Sequence, residues 1–146
     1  MITIRVMEAC DCKVVSELEK QIFSQPWSEQ GFLDAIARTE NIFLVAEEND
    51  SICGYIGMYQ ALDEGEITNV AVSPEKRGQG IGSLLIEKAL CIAKEQGIVQ
   101  VILEVRVSNQ PAIHLYEKTG FECCGVRKGF YDFPKEDAYI MLYRYC

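Results

Sequence analysis

Arg77-Gly78-Gln79-Gly80-Ile81-Gly82 follows a strand-like run, Glu66 to Val72, and leads into an amphipathic segment, Ser83 to Gln96. A glycine-rich turn between a strand and a helix leaves backbone N–H groups unpaired at the positive end of a helix dipole. Such a turn seats phosphate. The loop lacks the Gly-Lys-Ser/Thr ending of a Walker A loop, and its glycines at 78, 80 and 82 miss the dinucleotide fingerprint, where Ser83 or Leu85 occupies the required third position. A tight turn without a ligand is the plainer alternative. Arg77 either adds a cation at the mouth of the loop or is a solvated surface arginine.

Glu104 lies in Val99–Val105, a nearly continuous apolar run that reads as a strand covered on both faces. Odd-numbered positions face one side, and Glu104 shares the other with Ile102. Burial there raises a carboxylate's pKa, which suits a general base near neutral pH. The alternative is partial solvation at the strand's end, or a pair with Arg106. Tyr116 shares a helical face with Ala112 and Leu115, where most tyrosines are core residues with a satisfied hydroxyl. His114 points elsewhere, and no cysteine carries the local signature of a Cys-His nucleophile.

The elements that must position these residues follow from periodicity. Ile2–Val6 alternates as a strand, and Asp11 opens a helix through Phe23 with Val14, Val15, Leu18, Ile22 and Phe23 inward. Gln25-Pro26-Trp27 breaks it and Ser28 opens a second helix. Ile42–Glu47 and Ile52–Gln60 form a hairpin around Glu48-Asn49-Asp50-Ser51, and Glu64–Val72 follows as a further strand. The helix after the glycine loop turns Ile81, Leu84, Leu85, Ala89, Ile92 and Ala93 inward and stops at Gly97. Ser108 or Asn109 caps a short helix ending near Gly120; Phe121–Arg127 and Ala138–Tyr145 are the last strands. The order βααβββαβαββ gives a mixed α/β sheet in one domain, residues 1–146.

With 146 residues, nearly half apolar, the chain has the composition of a globular protein with a real core. It lacks a signal peptide's apolar region and any run of membrane-spanning length, so no membrane partner is expected. The seven cysteines are scattered without a Cys-x-x-Cys pair, and there is one histidine, so neither a disulfide framework nor a metal site is expected. Cys53 and Cys91 read as small core residues, and Cys10, Cys12, Cys123, Cys124 and Cys146 as thiols of a reduced, cytoplasmic protein. The net charge of −8 argues against nucleic acid as a direct ligand and suits a basic protein or amine.

Val70-Ala71-Val72, Arg77-x-x-Gly80-x-Gly82 and Asn109-x-x-Ala112-x-x-Leu115-Tyr116-x-x-x-Gly120-Phe121 resemble the motifs of the GNAT family of N-acetyltransferases. Pro26-Trp27-Ser28-Glu29, Leu103-Glu104-Val105-Arg106-x-Ser108-Asn109 and Glu136-Asp137-Ala138 are similar to segments of its bacterial ribosomal-protein-alanine branch. The resemblance covers the whole chain. It implies acetyl transfer from acetyl-CoA to an amine, in a fold whose fourth and fifth strands splay apart around the cofactor. It also implies that the backbone of Gly78, Gln79, Gly80, Ile81, Gly82 and Ser83, beside Arg77, holds the pyrophosphate. Val70, Ala71 and Val72 would flank the pantetheine arm, Asn109 would touch the cofactor, Glu104 would accept a proton and Tyr116 would donate one. Trp27 and Tyr131 would flank the acceptor, expected to be the basic N-terminal segment of a ribosomal protein.

That chemistry is self-consistent. An amine attacks a thioester only when neutral; at pH 7 an α-amine needs about 1 kcal/mol to become so, against about 4–5 for lysine. One carboxylate is enough for the α-amine, and no metal is required. A small amine acceptor (polyamine or aminoglycoside), a non-catalytic acetyl-CoA-binding module and an enzyme needing an auxiliary subunit are the competing readings. Gly129 stands where relatives of the branch usually carry Asn, and the approach to Glu136-Asp137 is short, which concerns the loop expected to select the acceptor.

Overall fold

Apolar side chains gather on both faces of one seven-stranded sheet, and the faces carry different helices. The computed structural model describes residues 1–145; Cys146 lies outside the described residues. The strands are β1 (Thr3–Val6), β2 (Ile42–Glu48), β3 (Ser51–Ala61), β4 (Glu64–Val72), β5 (Gln100–Arg106), β6 (Glu122–Tyr131) and β7 (Glu136–Arg144). The helices are α1 (Cys12–Ile22), α2 (Glu29–Ile36), α3 (Ile81–Glu95) and α4 (Gln110–Lys118). This is the expected element order.

Local chemistry sets the boundaries. Ser28 Oγ accepts from the Gly31 amide at 3.1 Å and caps α2, while Asn109 Oδ1 accepts from the Ala112 amide at 3.3 Å and caps α4. Asn49 and Asp50, both at positive φ, form the two-residue turn between β2 and β3. Gly97 at φ +84° ends α3. Asp11 precedes α1 but does not cap it; its carboxylate instead takes two bonds from Arg5, at 2.8 and 2.9 Å.

The sheet order is β1-β2-β3-β4-β5-β7-β6, so the last strand inserts beside β5 and the strand before it, β6, lies outermost. Every pairing is antiparallel except β4 with β5, which run parallel. Those two strands share only the rungs Glu64↔Gln100, Gly65↔Val101 and Glu66↔Ile102, then part. Val70–Val72 and Glu104 lie beyond the fork. On one face α3 packs Leu85, Ile86 and Ala89 on Leu44, Ile56, Val101 and Leu103; on the other, α1 and α2 pack Val15, Leu18 and Phe32 on Phe43, Val45 and Tyr55. Among the described residues no helix is long and apolar enough to cross a membrane.

Several inward assignments change. In β5, Val101, Leu103 and Val105 are buried but Ile102, Glu104 and Arg106 are only half so, because that face borders open clefts and is not covered by a helix. In α3, Leu84 is 43% exposed while Ile86 and Leu90 are buried, a stripe rotated around the helix from the expected one. Cys91 is therefore exposed, whereas Cys53 is buried as expected. Val14 and Phe23 of the first helical segment are exposed too.

Candidate active site

The glycine loop is built for two purposes. Gly78 and Gly80 stand at φ +81° and +79°, and a Cβ on either would meet nothing within 4 Å, so backbone conformation and not crowding calls for glycine. Gly82 is different: a Cβ there would come within 2.9 Å of Leu115 Cδ2, so its absence lets α4 approach the start of α3. No side chain caps α3, and its hydrogen-bond ladder begins with Leu84 N–H to Gly80 O at 3.1 Å. The amides of Ile81, Gly82 and Ser83 precede that rung and aim outward with the helix dipole. Ser83 Oγ is buried without a partner. Arg77 is exposed yet not idle, its Nε donating to Val72 O at 3.2 Å, which ties the loop to the end of β4. Gln79 is exposed at the turn, and Asn109 is exposed at the neighbouring N-terminus of α4. Val70 and Val72 are half-buried and Ala71 is buried, on a stretch of β4 that has left β5. An uncapped helix start, an orphaned hydroxyl and an unpaired strand edge form a run that fits a long, phosphate-headed cofactor such as coenzyme A.

The fork opens into a cleft of about 540 Å³ whose lining includes Glu19, Trp27, Asn69, Glu104, Tyr116 and Tyr131. Glu104 keeps 11% of its side chain exposed, with Arg127 Nε at 3.5 Å from its carboxylate. Burial pushes its pKa up, and the nearby Glu66 carboxylate adds to this, while Arg127 opposes. Arg106 does not pair with Glu104. It donates to Glu136 at 3.2 Å and to the carbonyls of Pro134 and Asp132 at 2.8 and 3.1 Å, with its guanidinium 4.4 Å from the centre of the Tyr131 ring. Glu136 also accepts from the Ser108 amide at 2.8 Å. Arg106 thus holds the β6–β7 loop and aims Tyr131 at the cleft.

Tyr116 is buried against Phe121, their rings 5.9 Å apart, and it faces the cleft from α4. Burial drives its pKa well above the ordinary phenol value, and Tyr131 reinforces this, so its proton stays in place. Tyr131 itself is pushed up to about 12, by burial and then by Glu104. Trp27 half-lines the cleft and half-packs, 5.2 Å from Phe32 and 6.0 Å from Tyr59. The divergent Gly129 lies at φ +60°, a left-handed conformation that Gly and Asn both adopt readily, and its amide donates to Asp137 at 2.8 Å.

The model of the acetyltransferase (GNAT) family matches residues 12–121, most of the chain. The chain belongs to the GNAT acetyltransferases. Members of this family draw on acetyl-CoA, as the donor side of the site leads one to expect. Similar curated proteins include the putative [ribosomal protein bS18]-alanine N-acetyltransferase of Bacillus subtilis, 38% identical over 94% of this chain and 92% of that one. The [ribosomal protein bS18]-alanine N-acetyltransferase of Haemophilus influenzae is 38% identical over 97% of both chains. The crystal structure of the ribosomal-protein-S18-alanine N-acetyltransferase from Escherichia coli superimposes with a TM-score of 0.91 at 31% identity, covering 99% of this chain and 94% of that one.

A buried polar cluster in this acetyltransferase escaped the sequence reading. Glu19, only 2% exposed, accepts from the Trp27 amide at 2.9 Å and from Asn69 Nδ2 at 3.1 and 3.2 Å, and the Tyr55 hydroxyl donates to it. The cluster pins the turn carrying Trp27 to the middle of β4. Its signal was in the sequence: Glu19 falls on the inward face of α1 beside Val15, Leu18 and Ile22, where an acid demands donors.

Proposed function

We propose that this acetyltransferase transfers the acetyl group of acetyl-CoA to the α-amine of a protein N-terminus, and that its acceptor is the N-terminal alanine of ribosomal protein bS18. The acceptor rests on the relatives, which bear that activity in their names and match this chain nearly end to end. The mechanism is supported by one observation: a single cleft is lined by a carboxyl group and a phenol, both with pKa values pushed up by burial.

Acetyl-CoA supplies an acyl group on a good leaving thiolate. Glu104 takes a proton from the incoming ammonium, directly or through one water, and its raised pKa makes it a better base than an ordinary surface carboxylate. A backbone N–H of Val70–Val72, on the stretch of β4 that no longer pairs with β5, donates to the developing oxyanion in this scheme. Tyr116 retains its proton until the thiolate leaves and then donates it. Trp27 and Tyr131 wall the acceptor side, and neither carries charge that would oppose an ammonium.

Purified protein with acetyl-CoA is expected to acetylate an Ala-Arg-type N-terminal peptide at its α-amine, located by mass spectrometry, in preference to a polyamine or an aminoglycoside. Turnover of the small amines without the peptide would overturn the acceptor. Cofactor binding with no turnover of any acceptor would indicate a binding module or a missing subunit.

A further inference from the structure

Between β3 and β4 the register slips by one: Gly57 pairs with Asn69 and Met58 with Ile67, which leaves Thr68 without an opposite number. A bulge of this kind re-aims the side chains beyond it. Ile67 packs under α3, whereas Asn69 and Ala71 turn to the α1–α2 side. Glu104 faces that side too, because its neighbours Leu103 and Val105 are buried under α3. Asn69 and Glu104 therefore line one cleft from opposite arms of the fork.

Asn69 is 6% exposed, and its two polar ends fare differently. Nδ2 donates to both oxygens of Glu19, at 3.2 and 3.1 Å. Turning the amide over would set Oδ1 against those oxygens, acceptor against acceptor, so the bond to Glu19 fixes which way the group faces. Oδ1 is left buried, with no hydrogen-bond partner among the described residues. The nearby hydroxyls are already committed: Tyr55 donates to Glu19, and Thr68 donates to Gly57 O at 3.3 Å. A buried carbonyl oxygen without a donor is costly, and this one sits at the wall of the acceptor cleft.

We propose that Asn69 Oδ1 is the seat of the acceptor's α-amino group, a substrate-binding group that works beside Glu104. The inference rests on the reading of this cleft as the acceptor site and deepens it. An ammonium offers several N–H donors. One goes to Glu104 and is given up as the proton; another goes to Asn69 and survives, since the neutral amine still carries N–H. A neutral amide oxygen suits this task, because it holds an N–H without competing for the proton. It keeps the amine from rotating and so aims the freed lone pair at the thioester. Glu19, behind it, accepts from Nδ2 and polarises the amide, which strengthens Oδ1 as an acceptor. The oxygens of Glu19 are themselves taken by Trp27, Tyr55 and Asn69, so Glu19 acts through Asn69 and not on the amine.

The test is a crossed comparison by isothermal titration calorimetry, with CoA bound so that no turnover occurs. An Ala-Arg-type peptide and its propionyl counterpart, which lacks only the α-amino group, are titrated into the parent and into Asn69→Ser. The serine hydroxyl can still donate toward Glu19 but puts no carbonyl in the cleft. The parent should favour the alanyl peptide, and Asn69→Ser should cut that preference about tenfold, the worth of one hydrogen bond to a charged group. A second readout needs no variant: in NMR spectra of the parent, the side-chain carbonyl carbon of Asn69 should shift with the alanyl peptide and hold still with the propionyl one. Equal weakening of both peptides by Asn69→Ser, with their ratio intact, would make Asn69 merely structural and overturn the seat. A carbonyl resonance that responds alike to both peptides would overturn it too. A parent that binds neither peptide overturns the protein acceptor instead. The Asn69 carbonyl shift with putrescine, set against its permethylated dication, which has no N–H, then decides the seat separately.

Discussion

At the scale of single residues, the proposed mechanism sets two groups that burial moves the same way to opposite tasks. Glu104 and Tyr116 both have their pKa values raised by burial, and in the proposed reaction the first is the base and the second the proton store. The Glu104 shift also bears on stability. Its folded pKa lies above its unfolded one, so the native state binds the proton more tightly. Its contribution therefore favours folding below the unfolded value and is lost as pH rises through the folded one. At neutral pH the ionised carboxylate is a burden that Arg127 only partly relieves. Glu104→Gln is accordingly expected to lower kcat by about 10²–10⁴-fold at pH 7.5 while leaving the acetyl-CoA KM nearly unchanged. Its melting temperature should exceed the parent's at pH 7.5, and the gap should close toward pH 4, as thermal melts across pH would record.

At the scale of elements, the local structure around the glycine loop was largely legible and the contacts that build the cleft across the fold were not. The glycine loop, its helix, the caps at Ser28 and Asn109 and the stop at Gly97 all depend on local chemistry, which a sequence displays directly. The Glu19 cluster and the Arg106 clamp depend on contacts across the fold, with Tyr55 and Asn69 lying 36 and 50 positions from Glu19 and the partners of Arg106 about 28 positions from it. The pairing of Glu104 with Arg106, one of the alternatives offered for it, does not form: Arg106 sits two residues along the same strand, whereas Arg127 arrives from β6. The inward stripe of α3 was off by part of a turn because apolar residues occupy Leu84 as well as Ile86 and Leu90, and periodicity alone does not choose between them. Gly80 tests the donor half. Gly80→Ala has room for its methyl but must hold φ near +79°, at a cost of about 1–2 kcal/mol. The expected outcome is a several-fold higher KM for acetyl-CoA with the peptide KM unchanged; equal effects on both would indicate general unfolding.

At the scale of the whole molecule, the net charge of −8 lies on a protein whose proposed acceptor is basic. Long-range attraction of that kind is screened within about 10 Å at 0.1 M salt and about 3 Å at 1 M. Raising ionic strength from 0.05 to 0.5 M, on the order of a threefold fall in screening length, should lift the KM of an arginine-containing peptide several-fold. A neutral peptide with the same first residue should change little, and steady-state kinetics on the pair measures the difference. The sheet order adds a constraint at this scale. Because β7 inserts between β5 and β6, the hairpin that carries Tyr131 is anchored in the sheet through its second strand, directly beside Glu104.

Trp27 is the sole tryptophan in the chain, and it stands with one side in the cleft and the other against Phe32, Phe43 and Tyr59. The acetyltransferase therefore carries its own optical probe. All of its indole emission originates at the edge of the cleft, with tyrosine close enough to feed it by energy transfer. If the proposed acceptor binds against Trp27, its arrival should register in the native protein as a change in emission colour and intensity, with no label attached and no turnover required.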